Sequence, residues 1–269
     1  MARKADLGIG RLYARFCAVT TRTHHLPPRA LPRYNPPMPL THSLVVFDWN
    51  GTILADTLAS WRAANACLAF YGAEPISLAR YRATSSFPII HFYAKNGVPV
   101  DKVLGSKGPA NGLFQKEYER LAARSRTRAG VRGLLRWLRD RSVPCIILSN
   151  YVTHRIEAQL ERLGLAAFFQ HIDAHDGDGA QIVEYTSKME RLSAYMVKRG
   201  YAPGRSVIIG DSTEEPQVAR ALGLTSIAVT GGSFSAGQIA RARPDYVIGH
   251  MAAARPVLEH LLAPAFFRA

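Results

Sequence analysis

Three short segments of this chain share one design: "LVVFD" at 44–48, "CIILSN" at 145–150 and "SVIIGD" at 206–211. Each is an unbroken apolar run that ends in polar residues. A strand with one wet face alternates apolar and polar positions. An unbroken run is what a strand needs when helices cover both faces of a parallel sheet. "TSIAVT" (225–230) and "DYVIG" (245–249) read as further strands. Helical periods lie between them. In "GVRGLLRWLRDR", Val131, Leu134, Leu135 and Leu138 share a face. In "THRIEAQLERLG", Ile156, Leu160 and Leu163 do the same, and the pattern stops at Gly164, a residue suited to a left-handed helix C-terminus. "KMERLSAYMVKRG" and "PQVARALG" continue the alternation. Strand following helix following strand implies an α/β protein with a doubly wound parallel sheet.

Residues 57–128 interrupt that alternation. "LASWRAANACLAFYG", "SLARYRATS" and "GLFQKEYERLAARSR" read as helices, with no central strand among them. The expected organisation is a core of residues 38–56 and 129–269, with a helical cap at 57–128 inserted after the first strand. Trp61, Phe70, Tyr81 and Phe92 are expected to pack the cap, and Asp56 to sit in its hinge.

Residues 1–37 stand apart. They are rich in Arg and Pro ("HHLPPRALPRYNPPMP" runs on from residue 24) and carry no sustained period. Three readings stay open: an organelle presequence, a basic arm, or an untranslated stretch before a true start at Met38. Of the net charge of +14, the excess sits in this leader and in the cap. The leader has seven Lys/Arg against one acid, and residues 57–128 have eleven against four. Such a field favours anionic partners. Cys17, Cys67 and Cys145 are too few and too scattered for a disulfide framework or a metal knuckle, which suits a reducing cytoplasm. No apolar run approaches the roughly 20 residues of a membrane span.

In an open parallel sheet, ligands bind beyond the carboxyl ends of the strands. Asp48, Ser149-Asn150 and Asp211 all stand at such ends, and Lys188 precedes Asp211 by 23 residues, about a helix and a loop. With these four segments in order, the chain resembles the haloacid dehalogenase superfamily, in its phosphoglycolate-phosphatase-like branch with a helical cap. "FDWNGTILADT" resembles the first family motif, "IILSN" the second, Lys188 the third and "IIGDSTEEPQVARALG" the fourth. The resemblance implies a Rossmann-like core and a Mg²⁺-dependent phosphatase acting on a small anionic phosphomonoester. It implies Asp48 as nucleophile, forming an aspartyl-phosphate. Lys188 is implied as a catalytic and phosphate-binding cation, with Thr52, Ser149 and Asn150 as further phosphate-binding residues. Mg²⁺ would be held by Asp48, the Asn50 backbone carbonyl, Asp211 and Glu215.

That residue set makes chemical sense. Phosphoryl transfer asks for positioning and charge neutralisation. A carboxylate nucleophile splits one displacement into two, and a hard cation with oxygen ligands relieves its repulsion from an anionic substrate. Two positions depart from the family pattern. Asn50 stands where an aspartate usually serves as general acid and base, and an amide cannot exchange a proton at neutral pH. Losing that group typically costs on the order of 10²–10⁴ in rate. Glu215 stands where the pattern has aspartate, with Glu214 beside it as a competitor and Pro216 suited to a helix start. Asn50 therefore keeps two alternatives open: a same-fold hydrolase or phosphotransferase with different leaving-group chemistry, or an impaired phospholigand-binding protein. The basic cap suggests Arg82, Ser85 and Lys95 as substrate-selecting residues. Nucleic acid is an unlikely partner on this reading, and a monomer or homodimer is expected.

Overall fold

The computed structural model describes residues 43–184 and 187–262. The leader and the alternative start at Met38 lie outside the described residues. The core is a six-stranded, wholly parallel sheet in the order β3-β2-β1-β4-β5-β6. Its strands are β1 (Val45–Phe47), β2 (Cys145–Val152), β3 (His171–His175), β4 (Val207–Gly210), β5 (Thr225–Val229) and β6 (Tyr246–Ile248). β1 lies between β2 and β4, with Val45 opposite both Cys145 and Val207.

The unbroken apolar runs are explained by two cores, one on each face of the sheet. Val45 and Phe47 point to one side, among Ile147, Ile209, Leu134, Leu138, Ile156 and Leu258. Leu44 and Val46 point to the other, among Ile146, Leu148, Ile208, Leu192, Met196 and Val218. Alternate side chains of one strand therefore serve opposite cores, and every position must be apolar.

β3 is the strand that the apolar-run criterion does not pick out. "HIDAH" is polar, half-buried and at the sheet edge, and its pairing with β2 is irregular between Leu148 and Val152. Ile172 and Ala174 pack against one core while His171, Asp173 and His175 alternate with them, so the strand carries no unbroken run.

After β1 the chain enters a helical layer: α1 (Thr57–Phe70), α2 (Leu78–Thr84), α3 (Ile90–Lys95), α4 (Val100–Gly105) and α5 (Lys107–Ala122). Its centre is a separate cluster that includes Cys67, Leu68, Tyr71, Phe92, Tyr93, Val98 and Val103. Phe70, expected to pack there, is instead exposed at 48%. The two crossings between cap and core run side by side. Ala55 N donates to Arg126 O and Arg128 N to Ile53 O, tying the outgoing and returning chains together. The core resumes with α6 (Val131–Arg139), α7 (Thr153–Leu163), α8 (Lys188–Arg199), α9 (Glu214–Leu222), α10 (Ala236–Ala242) and α11 (Ala254–Leu262). Gly164 closes α7 with φ 62°, as its position in the sequence suggests. Among the described residues no helix is long and apolar enough to cross a membrane.

Candidate active site

The carboxyl ends of β1, β2 and β4 meet at one rim, where the strand order reverses around β1. Asp48 leaves β1 with its backbone N–H bonded to Ile209 O, and the chain then turns tightly over the Trp49 carbonyl, which accepts from Ile53 N and Leu54 N. This turn brings Thr52 Oγ1 within 3.3 Å of Asp48 Oδ2 and 3.0 Å of Asp211 Oδ1. One hydroxyl thus sits between two carboxylates from different strands. Gly51, at φ 71°, is required here because a Cβ would stand 2.3 Å from Asp211 Oδ2. Gly232 presses on the same carboxylate from the other side, where its Cβ would come within 2.0 Å. Ser233 N donates to Asp211 Oδ2 at 2.6 Å.

Lys188 opens α8 and is buried. Its Nζ donates to Asp48 Oδ1 and to Glu215 Oε1, each at 2.7 Å, with Glu214 Oε2 at 3.7 Å. Glu215 Oε2 accepts from both the N–H and the hydroxyl of Ser212, at 3.1 and 2.6 Å. Both Glu215 oxygens are therefore occupied by protein donors, and its observed partner is Lys188. Glu214 accepts from Asn150 Nδ2 at 2.7 Å.

Three carboxylates, Asp48, Glu215 and Glu214, thus surround one amine, and Asp211 lies beyond them at the same rim. Burial lifts Asp48 to about 8, and the nearby Glu215 and Asp211 add to the rise against the pull of Lys188. Burial also lifts Asp211, to about 6. Glu215 stays below its ordinary value because the charge and hydrogen bond of Lys188, with Ser212, outweigh burial. For Lys188 burial works against the charge, but Asp48, Glu215 and Glu214 overcome it and raise the pKa. Negative charge at this rim exceeds positive.

That excess is the test of whether a cation belongs here. Among the described residues no group of three His, Cys, Asp or Glu side chains is placed as a complete ligand set. Asp48 and Asp211 supply two buried, under-neutralised carboxylates. Mg²⁺ suits such a site, since it keeps several waters and takes one or two carboxylates together with substrate phosphate oxygens. The donor set fits.

Asn50 and Asp56 form a unit that the motifs did not reveal. Asn50 Nδ2 donates to Asp56 Oδ2 and to Tyr118 Oη, both at 2.7 Å. Tyr118 Oη donates to the same Asp56 oxygen at 2.6 Å, and Gly51 N donates to Asp56 Oδ1 at 2.7 Å. An aspartate at position 50 would set a second carboxylate against Asp56, and like charges at this distance cannot both ionise readily. The amide is thus matched to its neighbour. The sequence marked Asp56 only as a hinge residue. Tyr118 lies on α5 and carried no local signal. Arg128 was also missed: Nη1 donates to Gly51 O at 2.6 Å and Nη2 to Thr230 O, which fixes the loop carrying Asn50.

The remaining expected residues divide. Ser149, Asn150, Lys188 and Ser85 line the cavity that opens on Asp48. Ser149 Oγ accepts from Tyr151 N, so its own proton is free for a ligand. Asn150 directs one N–H of its amide to Glu214 and leaves Oδ1 buried without a partner. Thr52 is fully buried behind the carboxylates and does not line the cavity. Arg82 and Lys95 do not line it either. Arg82 donates to the carbonyls of Gly232 and Gly231 at 2.9 and 3.0 Å, and Lys95 is exposed. The basic surplus of the cap faces outward or is tied to carbonyls, which a charge count along the sequence cannot reveal.

Comparison with known proteins shows the family of the chain. Residues 42–223 match the family model for haloacid dehalogenase-like hydrolases. A phosphoglycolate phosphatase of Synechococcus elongatus is 30% identical over 76% of this chain and 91% of its own length. A phosphoglycolate phosphatase of Pseudomonas putida is 25% identical over 79% of this chain and 78% of its own. The crystal structure of a predicted phosphatase from Clostridium acetobutylicum superposes with a TM-score of 0.64 at 19% identity, covering 81% of this chain and 99% of that one. The chain belongs to the haloacid dehalogenase-like hydrolase family, in its phosphoglycolate-phosphatase-like branch.

Proposed function

We propose that this protein is a Mg²⁺-dependent phosphomonoesterase that uses Asp48 as nucleophile on a small phosphorylated substrate. The observation that carries the reading is the convergence of Asp48, Lys188 and Asp211, from three separate segments, at one rim of the sheet. A carboxylate oxygen of Asp48 forms a bond to phosphorus as the bond to the leaving oxygen breaks. Water then displaces the Asp48 carboxylate and releases inorganic phosphate.

The protein's own residues prepare that reaction. Lys188 holds Asp48 in place at 2.7 Å and keeps a fixed positive charge beside the incoming anion. The Ser149 hydroxyl faces the cavity as a donor to a phosphoryl oxygen. Thr52 lines up Asp48 with Asp211. Glu215 acts through Lys188. Asp48, Asp211 and the Asn50 carbonyl would hold Mg²⁺, which supplies charge neutralisation for the phosphoryl group when bound.

The test is phosphate release from a panel of phosphate monoesters by the full chain, with Mg²⁺ and after chelation. Activity should need the metal and should fall by at least about 10³-fold in Asp48→Asn. Metal-dependent release that survives Asp48→Asn would remove the nucleophile from the scheme. A second reading, binding of a phosphorylated ligand without turnover, is favoured by Asn50, whose NH₂ is engaged by Asp56 and Tyr118. It would be supported by phosphoester binding with no release in any form.

A further inference from the structure

The cavity beyond Asp48 runs from the catalytic rim into the helical cap. Its volume is about 160 Å³, close to the ~150 Å³ of an apolar cavity that accepts benzene. Its wall includes Tyr71, Tyr81, Phe92, Tyr93, Phe114 and Tyr118. These rings brace one another. Tyr71 meets Tyr93 edge to face at 5.1 Å, Tyr81 meets Phe92 at 5.7 Å, and Phe114 stacks on Tyr118 at 5.8 Å. Such contacts fix ring orientation and hold the cavity open as a slot suited to another ring.

Positive charge is scarce along that wall. Of the described lining residues only Lys107 and Lys188 are cationic. Lys188 is committed to Asp48 and Glu215, and Lys107 is ion-paired with Glu184 in an exposed position. A second anionic group on the leaving side of a substrate would give up its water and find no free cation among the described residues of the slot, an unfavourable exchange. An uncharged ring would be received well.

Residue 50 points the same way, independently. No carboxyl stands at that position to protonate a departing oxygen, and the Asn50 amide is already bonded to Asp56 and Tyr118. An alkoxide is nearly as basic as hydroxide and leaves poorly without a proton. A phenolate, whose conjugate acid has a pKa near about 10 as in tyrosine, leaves as the free anion.

We propose that the substrates of this enzyme are aryl phosphate monoesters, with an uncharged ring of about one-ring size as the leaving group. The proposal rests on the Asp48 phosphatase reading and names its substrate class. In the first step the Asp48 oxygen bonds to phosphorus, the phosphorus–aryl oxygen bond breaks, and its electron pair leaves on the phenolate, which takes a proton from solvent. In the second, water adds to phosphorus, the bond to Asp48 breaks, and the carboxylate is restored as phosphate departs.

The experiment compares kcat and KM of the full chain, with Mg²⁺ at neutral pH, for phenyl phosphate, cyclohexyl phosphate and 2-phosphoglycolate. The two ring esters differ in leaving ability at similar shape, and the third is a small alkyl ester with a second anion. Phenyl phosphate should exceed both others in kcat/KM by about 100-fold or more, the low end of what a missing general acid takes from an alkyl ester. The split should be specific: similar KM for the two ring esters, higher KM for 2-phosphoglycolate, and a kcat deficit for cyclohexyl phosphate. Equal or better turnover of 2-phosphoglycolate, lost in Asp48→Asn, would overturn the aryl assignment and leave the phosphatase reading standing. No Asp48-dependent turnover of any of the three would overturn both.

Discussion

Replacing Lys188 by methionine removes one charge from the most crowded ionic site among the described residues and leaves a side chain of similar length. The amine is 2% exposed and bonds Asp48 and Glu215 at 2.7 Å each. Its loss strands buried carboxylates, and breaking a buried ion pair in this way costs about 3–5 kcal/mol. For a domain of this size each kcal/mol moves the melting temperature by ~2–4 °C, so the variant should melt roughly 6–20 °C lower at about pH 8. The deficit should depend on pH, with a defined sign. In the wild type Glu215 is held below its ordinary value of 4.5, so it stabilises the fold throughout the range above that value. In the variant only hydrogen bonds such as those from Ser212 are left to oppose burial, which is the largest influence on Glu215, and its folded pKa moves above the unfolded one. Stability is then lost progressively as the pH rises from 4.5. Thermal unfolding followed by circular dichroism, at about pH 5 and about pH 8, should therefore show the smaller deficit at the lower pH. An equal deficit at both, or one below about 1 kcal/mol, the value of a solvent-screened pair, would refute the picture of a buried amine balancing carboxylates.

Other outcomes follow from the same geometry. Millimolar Mg²⁺ should raise the melting temperature more at about pH 8 than at about pH 5.5, because protons compete with the cation at Asp48 (about 8) and Asp211 (about 6); an equal rise at both would move the cation elsewhere. Gly232→Ala places a Cβ 2.0 Å from Asp211 Oδ2, so phosphatase kcat should fall on the order of 10²-fold through displacement of that carboxylate, with an unchanged far-ultraviolet spectrum; undiminished kcat would mean that Asp211 need not hold its place. Tyr118→Phe deletes a donor to buried Asp56 and an acceptor for Asn50; denaturant unfolding should show a loss of about 1–3 kcal/mol, and a change within about 0.5 kcal/mol would show that the network is not coupled to the fold.

Much of the fold was legible because it depends on local pattern. Two-faced burial demands unbroken apolar strands, and five of the six strands announce themselves that way. β3 does not, because His171, Asp173 and His175 alternate with its apolar positions. The candidate rim was legible for a related reason: parallel strands deliver their following residues to one edge, so Asp48, Ser149 and Asp211 had to lie near each other once the sheet was inferred. Lys188 came from its match to the family motif. Glu215 came from the same match, but its partners did not. Whether it faces a cation or an amine depends on where α8 begins relative to α9, and no local pattern records that.

The chain's order of apolar runs, helical periods and polar strand ends was enough to fix the sheet, the insertion and the acid-bearing edge, because periodicity and burial are properties of neighbouring residues. The direction of the basic cap side chains, the aromatic slot and the bond from Asn50 to Asp56 and Tyr118 were decided only by tertiary packing. Those features join residues as far apart as Asn50 and Tyr118, or Arg82 and Gly232. A side chain's charge is written in the sequence, but its partner is chosen by the distance and direction that the folded backbone leaves open.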